Sequence, residues 1–164
     1  MSPHTDPALL GAIETLLYDE ADCLDRADLD AWMQLYTEDG TYWMPAAPGQ
    51  PDALNHVSHF YDDRVLMEIR RRNFVHPRAP SKDHPVRCSH LIGNIRLLEA
   101  DAAAGRYVVR SNFHALMYYR EDQRSFGGSY RHELLRTAAG LRIRHKRVDL
   151  IDCDAALKSI ILYL

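Results

Sequence analysis

Nine histidines, three cysteines and 23 acidic residues give this chain the raw material for metal, redox or acid–base chemistry. Their spacing decides which of these it can do. A Rieske centre needs two cysteine–histidine pairs, each close in sequence. Cys88-Ser89-His90 supplies one such pair, but neither Cys23 nor Cys153 is followed by a nearby histidine. A mononuclear iron site needs two histidines and a carboxylate around open positions. His84 and His90 flank Pro85 at a spacing that suits neither a helix nor one strand face, and His56 and His59 would point to opposite sides of a strand. No catalytic, cofactor-binding or metal-binding residue is expected in this chain.

A subtler constellation is one histidine on each long extended segment: His90, His114, His132 and His145. In a bent sheet some of these could converge with Asp39, Tyr42 or Tyr18 and act as a general base, because imidazole titrates near neutrality. The competing reading is that they face solvent or a neighbouring subunit, or hydrogen-bond in the core. Ser89 adjoins His90, but strand neighbours point apart and cannot pair. No nucleophile elbow, phosphate loop or dinucleotide fingerprint is present. Phe126-Gly127-Gly128 reads as a hairpin turn rather than a phosphate cradle. Trp32 and Tyr36 read as core, while Tyr42 and Trp43 must point to opposite sides of a strand.

The elements that would position these groups fall into two halves. Asp6-Pro7 starts a helix whose apolar stripe is Leu9, Ile13, Leu16, Leu17, Ala21 and Leu24. A second helix from Asp28 places Leu29, Trp32, Met33 and Tyr36 on one face, turns on Glu38-Asp39-Gly40, and leads into a strand at 41–44. A proline-rich excursion follows at 45–52, then a short strand at 56–61. A third helix is expected near Asp62, burying Val65, Leu66 and Ile69 and ending in Arg70 to Arg72, where cations complement the helix dipole. The segment 73–85 reads as a loop. Beyond Val86, extended segments near 86–98, 106–119, 129–137 and 141–153 are separated by turns at 101–105, 121–128 and 138–140. Gly93 interrupts the first where the apolar parity shifts, as a bulge would. Helices first and an antiparallel meander afterwards predict an α+β fold, with helices on one face of the sheet, and one domain over 1–164.

The 164 residues carry 46% hydrophobic and 26% charged side chains and a net charge of −3. That balance gives no electrostatic reason to expect nucleic acid. No apolar run approaches the ~20 residues that span a bilayer. The first residues lack the basic and apolar regions of a secretory leader, and the three cysteines read as reduced, mostly buried thiols, so a cytoplasmic protein is expected. The apolar run 157–164 predicts a final strand or a segment buried against another subunit, with an intramolecular edge strand as the competing reading.

The run Leu35-Tyr-Thr-Glu-Asp-Gly-Thr-Tyr-Trp-Met-Pro45 follows Tyr18-Asp19-Glu20 and Leu24-Asp25. After it come Tyr61-Asp62-Asp63-Arg64, Ser89-His90-Leu91-Ile92-Gly93-Asn94, Ser111-Asn112-Phe113 and Phe126-Gly127-Gly128. In that order, from about Ile13 onward, the chain resembles the small (beta) subunit of bacterial aromatic-ring-hydroxylating dioxygenases. The resemblance implies a cone fold like nuclear transport factor 2, with a strongly curved sheet around the N-terminal helices. It also implies a hetero-hexamer of three large (alpha) and three small subunits. The large subunit would hold a Rieske 2Fe-2S cluster and a mononuclear Fe(II), fed from NADH or NADPH through a reductase or ferredoxin. Such a complex serves aromatic hydrocarbon catabolism by cis-dihydroxylation, and Tyr42-Trp43-Met44-Pro45 looks closest to members acting on benzoate-like acids. The alternatives are a stand-alone cone-fold dehydratase or isomerase using His/Asp acid–base chemistry, and a binding protein of the same fold.

Overall fold

Asp6 opens the fold by accepting a hydrogen bond from the Ala8 amide, and Pro7 occupies the first helical position, where its missing N–H costs nothing. The computed structural model describes residues 6–164; residues 1–5, on which the expectation about a secretory leader falls, lie outside the described residues. Helix α1 (Pro7–Asp25) buries the predicted stripe and, in line with it, Glu20. Ala27, left-handed at φ 53°, turns the chain, and Asp28 caps α2 (Leu29–Gln34) through the Ala31 amide.

The structure departs from expectation at the next step. Tyr36 does not extend the second helix; it opens β1 (Tyr36–Pro45), so Glu38-Asp39-Gly40 lies inside a strand rather than in a turn. Tyr36 pairs with Ile143, and the register then shifts before Thr41 pairs with His145. That irregularity absorbs the turn-like residues without ending the strand. Gly40 is needed for close approach: a Cβ there would lie 2.9 Å from the Thr37 carbonyl oxygen and 3.0 Å from the Tyr36 Cβ.

Strand β2 (Ser58–Asp62) and α3 (Arg64–Val75) follow, the helix capped by Asp63 through the Leu66 amide. Val65, Leu66 and Ile69 do not form the buried face; all three are exposed, and Met67 is the residue of α3 that is buried. Polar anchors replace the apolar stripe: Arg64 donates to the Met33 carbonyl, Arg70 to Asp62, and Arg71 pairs with Asp30 of α2 at 3.1 Å. The segment read as a loop holds the last turn of α3 and a short helix, α4 (Pro80–Asp83).

Four long strands complete the sheet: β3 (Arg87–Asp101), β4 (Arg106–Tyr119), β5 (Asp122–Thr137) and β6 (Gly140–Leu150). The sheet order is β2-β1-β6-β5-β4-β3, antiparallel throughout except between β1 and β6. The bulge at Gly93 is present, with the register shifting between Gly93 and Arg96 and Asn94 left-handed at φ 53°. The hairpin between β4 and β5 turns instead at Arg120 and Glu121, φ 50° and 61°. Phe126-Gly127-Gly128 is therefore mid-strand, not a turn. A Cβ on Gly128 would sit 2.0 Å from the Asp149 carbonyl oxygen. This glycine lets β6 close on β5; it does not turn the chain.

The curved sheet wraps α1, which packs on β3 and β6. The final segment forms no strand. Leu162, Tyr163 and Leu164 are buried by the chain's own core, where Tyr163 stacks on Trp32 with ring centroids 4.3 Å apart. The expected docking of this end on another subunit therefore fails for its last three residues, because Trp32, Tyr42 and Phe60 already form an aromatic socket for Tyr163. Among the described residues no helix is long and apolar enough to cross a membrane.

Candidate functional site

Deep inside the cone, Glu20 of α1 meets donors from four other side chains. Its Oε1 accepts from Trp32 Nε1 (3.2 Å), Tyr36 OH (3.0 Å) and Lys146 Nζ (2.9 Å), and its Oε2 from His132 Nε2 (2.9 Å). Burial alone would raise the Glu20 carboxyl, but Lys146 and His132 outweigh it and hold the group well below the usual carboxylate range. Lys146 donates also to the Leu164 carbonyl oxygen (2.8 Å) and lies 4.0 Å from the Tyr130 ring centroid. Burial pulls its ammonium below the ordinary value while Glu20 pulls it back. Two oxygen acceptors and a ring face surround the ammonium. Burial also lowers His132, so its imidazole is neutral, with Nε2–H aimed at Glu20.

A second pair stands at the end of α1. His90 Nδ1 lies 2.6 Å from Asp25 Oδ1, and the His90 amide donates to Asp25 Oδ2 (3.1 Å). Burial keeps His90 below its ordinary value despite that carboxylate. Its Nε2, the Tyr130 hydroxyl and His132 Nδ1 are buried and without hydrogen-bond partners among the described residues. Such groups could pass a proton to a substrate, but the space bounded by Leu17, Glu20, Ala21, Leu24, His90, Ile92, Tyr130 and Lys146 is too small for a water molecule.

Of the expected constellation, the structure brings together His90, His132 and Tyr42 and leaves out the rest. His114 is exposed. His145 lies on the outer face, 2.6 Å from Thr41 Oγ1. Tyr18 and Asp39 are also exposed, and Asp39 pairs with Arg144. The carboxylates that meet these histidines are Glu20 and the half-buried Asp25, which the pattern did not single out. Glu20 lies on the apolar line of α1 formed by Ile13, Leu16, Leu17 and Leu24, and Lys146 shares parity with buried Val148 and Leu150. A charged residue on each apolar register, one acidic and one basic, is the signal that could have paired them.

The residues do not fit an iron or iron–sulfur centre. His90 spends Nδ1 on Asp25, burial and Asp25 push the Cys88 thiol up to about 12, and among the described residues no group of three or more His, Cys, Asp or Glu is placed to hold a metal ion. The three cysteines are free.

On the outer face, Glu99 and Glu133 are laced to Arg106, Arg131 and Arg144 at 3.0–3.3 Å. Leu91, Leu98 and Leu116 stand exposed on β3 and β4, and Val65, Leu66 and Ile69 on α3.

A family model described as "Ring hydroxylating beta subunit" matches residues 19–155. The small oxygenase component of the p-cumate 2,3-dioxygenase system of Pseudomonas putida is 32% identical, over 87% of this chain and 79% of its own length. The crystal structure of the beta subunit of benzoate 1,2-dioxygenase from Burkholderia mallei is 28% identical and superposes with a TM-score of 0.75, covering 95% of this chain and 96% of that one. A Novosphingobium aromaticivorans protein named for scytalone dehydratase superposes at 0.64 with 17% identity, covering 87% of this chain and 84% of its own, which shows shared fold alone.

Proposed function

The chain belongs to the ring hydroxylating beta subunit family, and we propose that its work in the terminal oxygenase is structural. The observation that carries this reading is the sealed interior. Glu20 is saturated with donors, and the cavity beside His90 and Tyr130 has no room for water, let alone an aromatic ring. A rigid cone of this kind is suited to holding large subunits in register. Its catalytic, cofactor and metal residues number none, and the whole of 1–164 acts as one cone-fold domain.

The large alpha partner would carry the Rieske 2Fe-2S cluster and the mononuclear Fe(II), with electrons supplied from NADH or NADPH through a reductase or ferredoxin. Three large and three small subunits would assemble in the cytoplasm. The substrate class we propose is a benzoate-like aromatic acid, supported by the relatives named for p-cumate and benzoate. The exposed leucines of β3 and β4 and the apolar side chains of α3 offer surfaces for the partners.

Co-expression with the large subunit tests the proposal. The two chains should co-purify as one particle of hexamer size that oxygenates benzoate-like acids once a reductase and NADH are supplied, while the small chain alone stays inert toward them. A small chain that remains monomeric beside the large one, or that transforms an aromatic acid unaided, would overturn the reading and favour the dehydratase or isomerase.

A further inference from the structure

Where α3, α4 and the final segment meet, a cleft of about 330 Å³ stays open. It is separate from the sealed interior and uses none of the Glu20 or His90 groups. Phe60, Phe74, Tyr119 and Tyr163 give it aromatic walls, and Ile161 and Leu162 an aliphatic one. A cleft of this size stands at the small end of small-molecule sites, which run to roughly 300–1,000 Å³, so it accommodates one ring with small substituents.

The charge in the cleft is already balanced. Arg70 sends Nε and Nη2 to Asp62, the second at 3.2 Å, and Tyr163 donates its hydroxyl to Asp62 Oδ2 at 2.6 Å. Burial and Asp62 push the Tyr163 phenol up, so it stays a donor. The guanidinium also covers the Phe60 ring, 4.6 Å from its centroid. An anionic ligand would find no unpaired cation here and would be placed beside the buried Asp62 carboxylate. A neutral ring gains apolar burial, edge or face contacts with four aromatic side chains, and polar partners from Asn73 and Ser81 on the wall.

We propose that this cleft is a binding site for an uncharged monocyclic aromatic compound. It belongs to the chain's own residues and is independent of the structural role argued above, so it can fail while that role stands.

The test is titration of the full-length small subunit with 4-fluorophenol, uncharged at pH 7, read by fluorine NMR, with 4-fluorobenzoate as the charged counterpart. Saturable binding is expected with a dissociation constant on the order of 0.1–1 mM, as suits a fragment-sized ligand. 4-Fluorobenzoate should bind at least about tenfold more weakly. Ile161→Trp, which fills the cleft from a half-buried position, should weaken 4-fluorophenol at least about tenfold. Asn73→Trp should do the same from an exposed position on the same wall, should the first variant disturb folding. Absence of saturation up to about 5 mM, or unchanged affinity in both folded variants, would overturn the site. Equal or tighter binding of 4-fluorobenzoate would overturn the neutral class. Loss of 4-fluorophenol binding once the large subunit is added would assign the cleft to subunit contact instead.

Discussion

Two carboxylate clusters in this chain use the same chemistry on opposite sides of one sheet. Inside the cone, Glu20 is ringed by Lys146, His132, Tyr36 and Trp32 and is almost wholly withdrawn from water. Outside, Glu99 and Glu133 are ringed by three arginines but remain hydrated. The count of ion pairs is therefore a poor guide to their energetic weight. A buried charge that loses its partner keeps its desolvation cost, whereas an exposed one is resolvated. The interior cluster should hold the fold together, and the outer lattice should mainly tune what the sheet meets.

The largest effect should come from breaking the inner pair. Lys146→Met leaves Glu20 charged and uncompensated and should lower stability by about 3–5 kcal/mol in urea denaturation. Adding Glu20→Gln should recover part of that loss; a double variant as weak as the sum of the singles would deny the coupling. Next is the wall between the two faces. Gly128→Ala forces β5 away from the Asp149 carbonyl and should cost about 1–3 kcal/mol, while Gly127→Ala, whose Cβ would meet only ordinary contacts at 3.6 Å and beyond, should leave the midpoint nearly unchanged.

Acid should distinguish the two sides as well. Burial lowers His132 and His90 from the ordinary 6.5, so between 6.5 and their folded values the unfolded chain binds protons that the folded chain does not. Stability should be fully present above 6.5 and decline as pH falls below it, with Glu20 adding a steeper loss below its ordinary 4.5. A melting temperature that is flat from pH 7 to 5 would mean that folding leaves these imidazoles unshifted, and one that rises on acidification would mean that they are charged in the fold. The smallest effect belongs to the outer lattice. Glu99→Gln should leave the thermal midpoint close to that of the parent chain, and any shift should shrink as salt rises; a large, salt-insensitive loss would erase the contrast between the two faces.

The order of helices and strands, the α+β class, the Asp6-Pro7 start and the Gly93 bulge were legible because each rests on local chemistry. Misreadings arose where a tertiary neighbour overruled a local preference. Gly127-Gly128 resembles a turn, yet β6 needs that space. Tyr36 continues a helical period, yet Ile143 offers it a strand partner. The apolar final segment looked like an interface because the socket of Trp32, Tyr42 and Phe60 comes from three separate elements. Glu20 and Lys146 lie 126 positions apart; each stands out on the buried register of its own element, but only the fold brings the two together.

The central claim is that the interior polar groups hold the cone and take no part in oxygenation. Its most direct test is steady-state turnover of a benzoate-like acid by the complex assembled with Tyr130→Phe, which removes an unpartnered hydroxyl without changing shape. The account predicts normal assembly and a kcat and KM within about twofold of the parent, since removing an unpaired buried polar group is neutral or stabilising. A fall in kcat of about a hundredfold or more in a fully assembled complex, equivalent to roughly 2.7 kcal/mol of lost transition-state stabilisation, would contradict it.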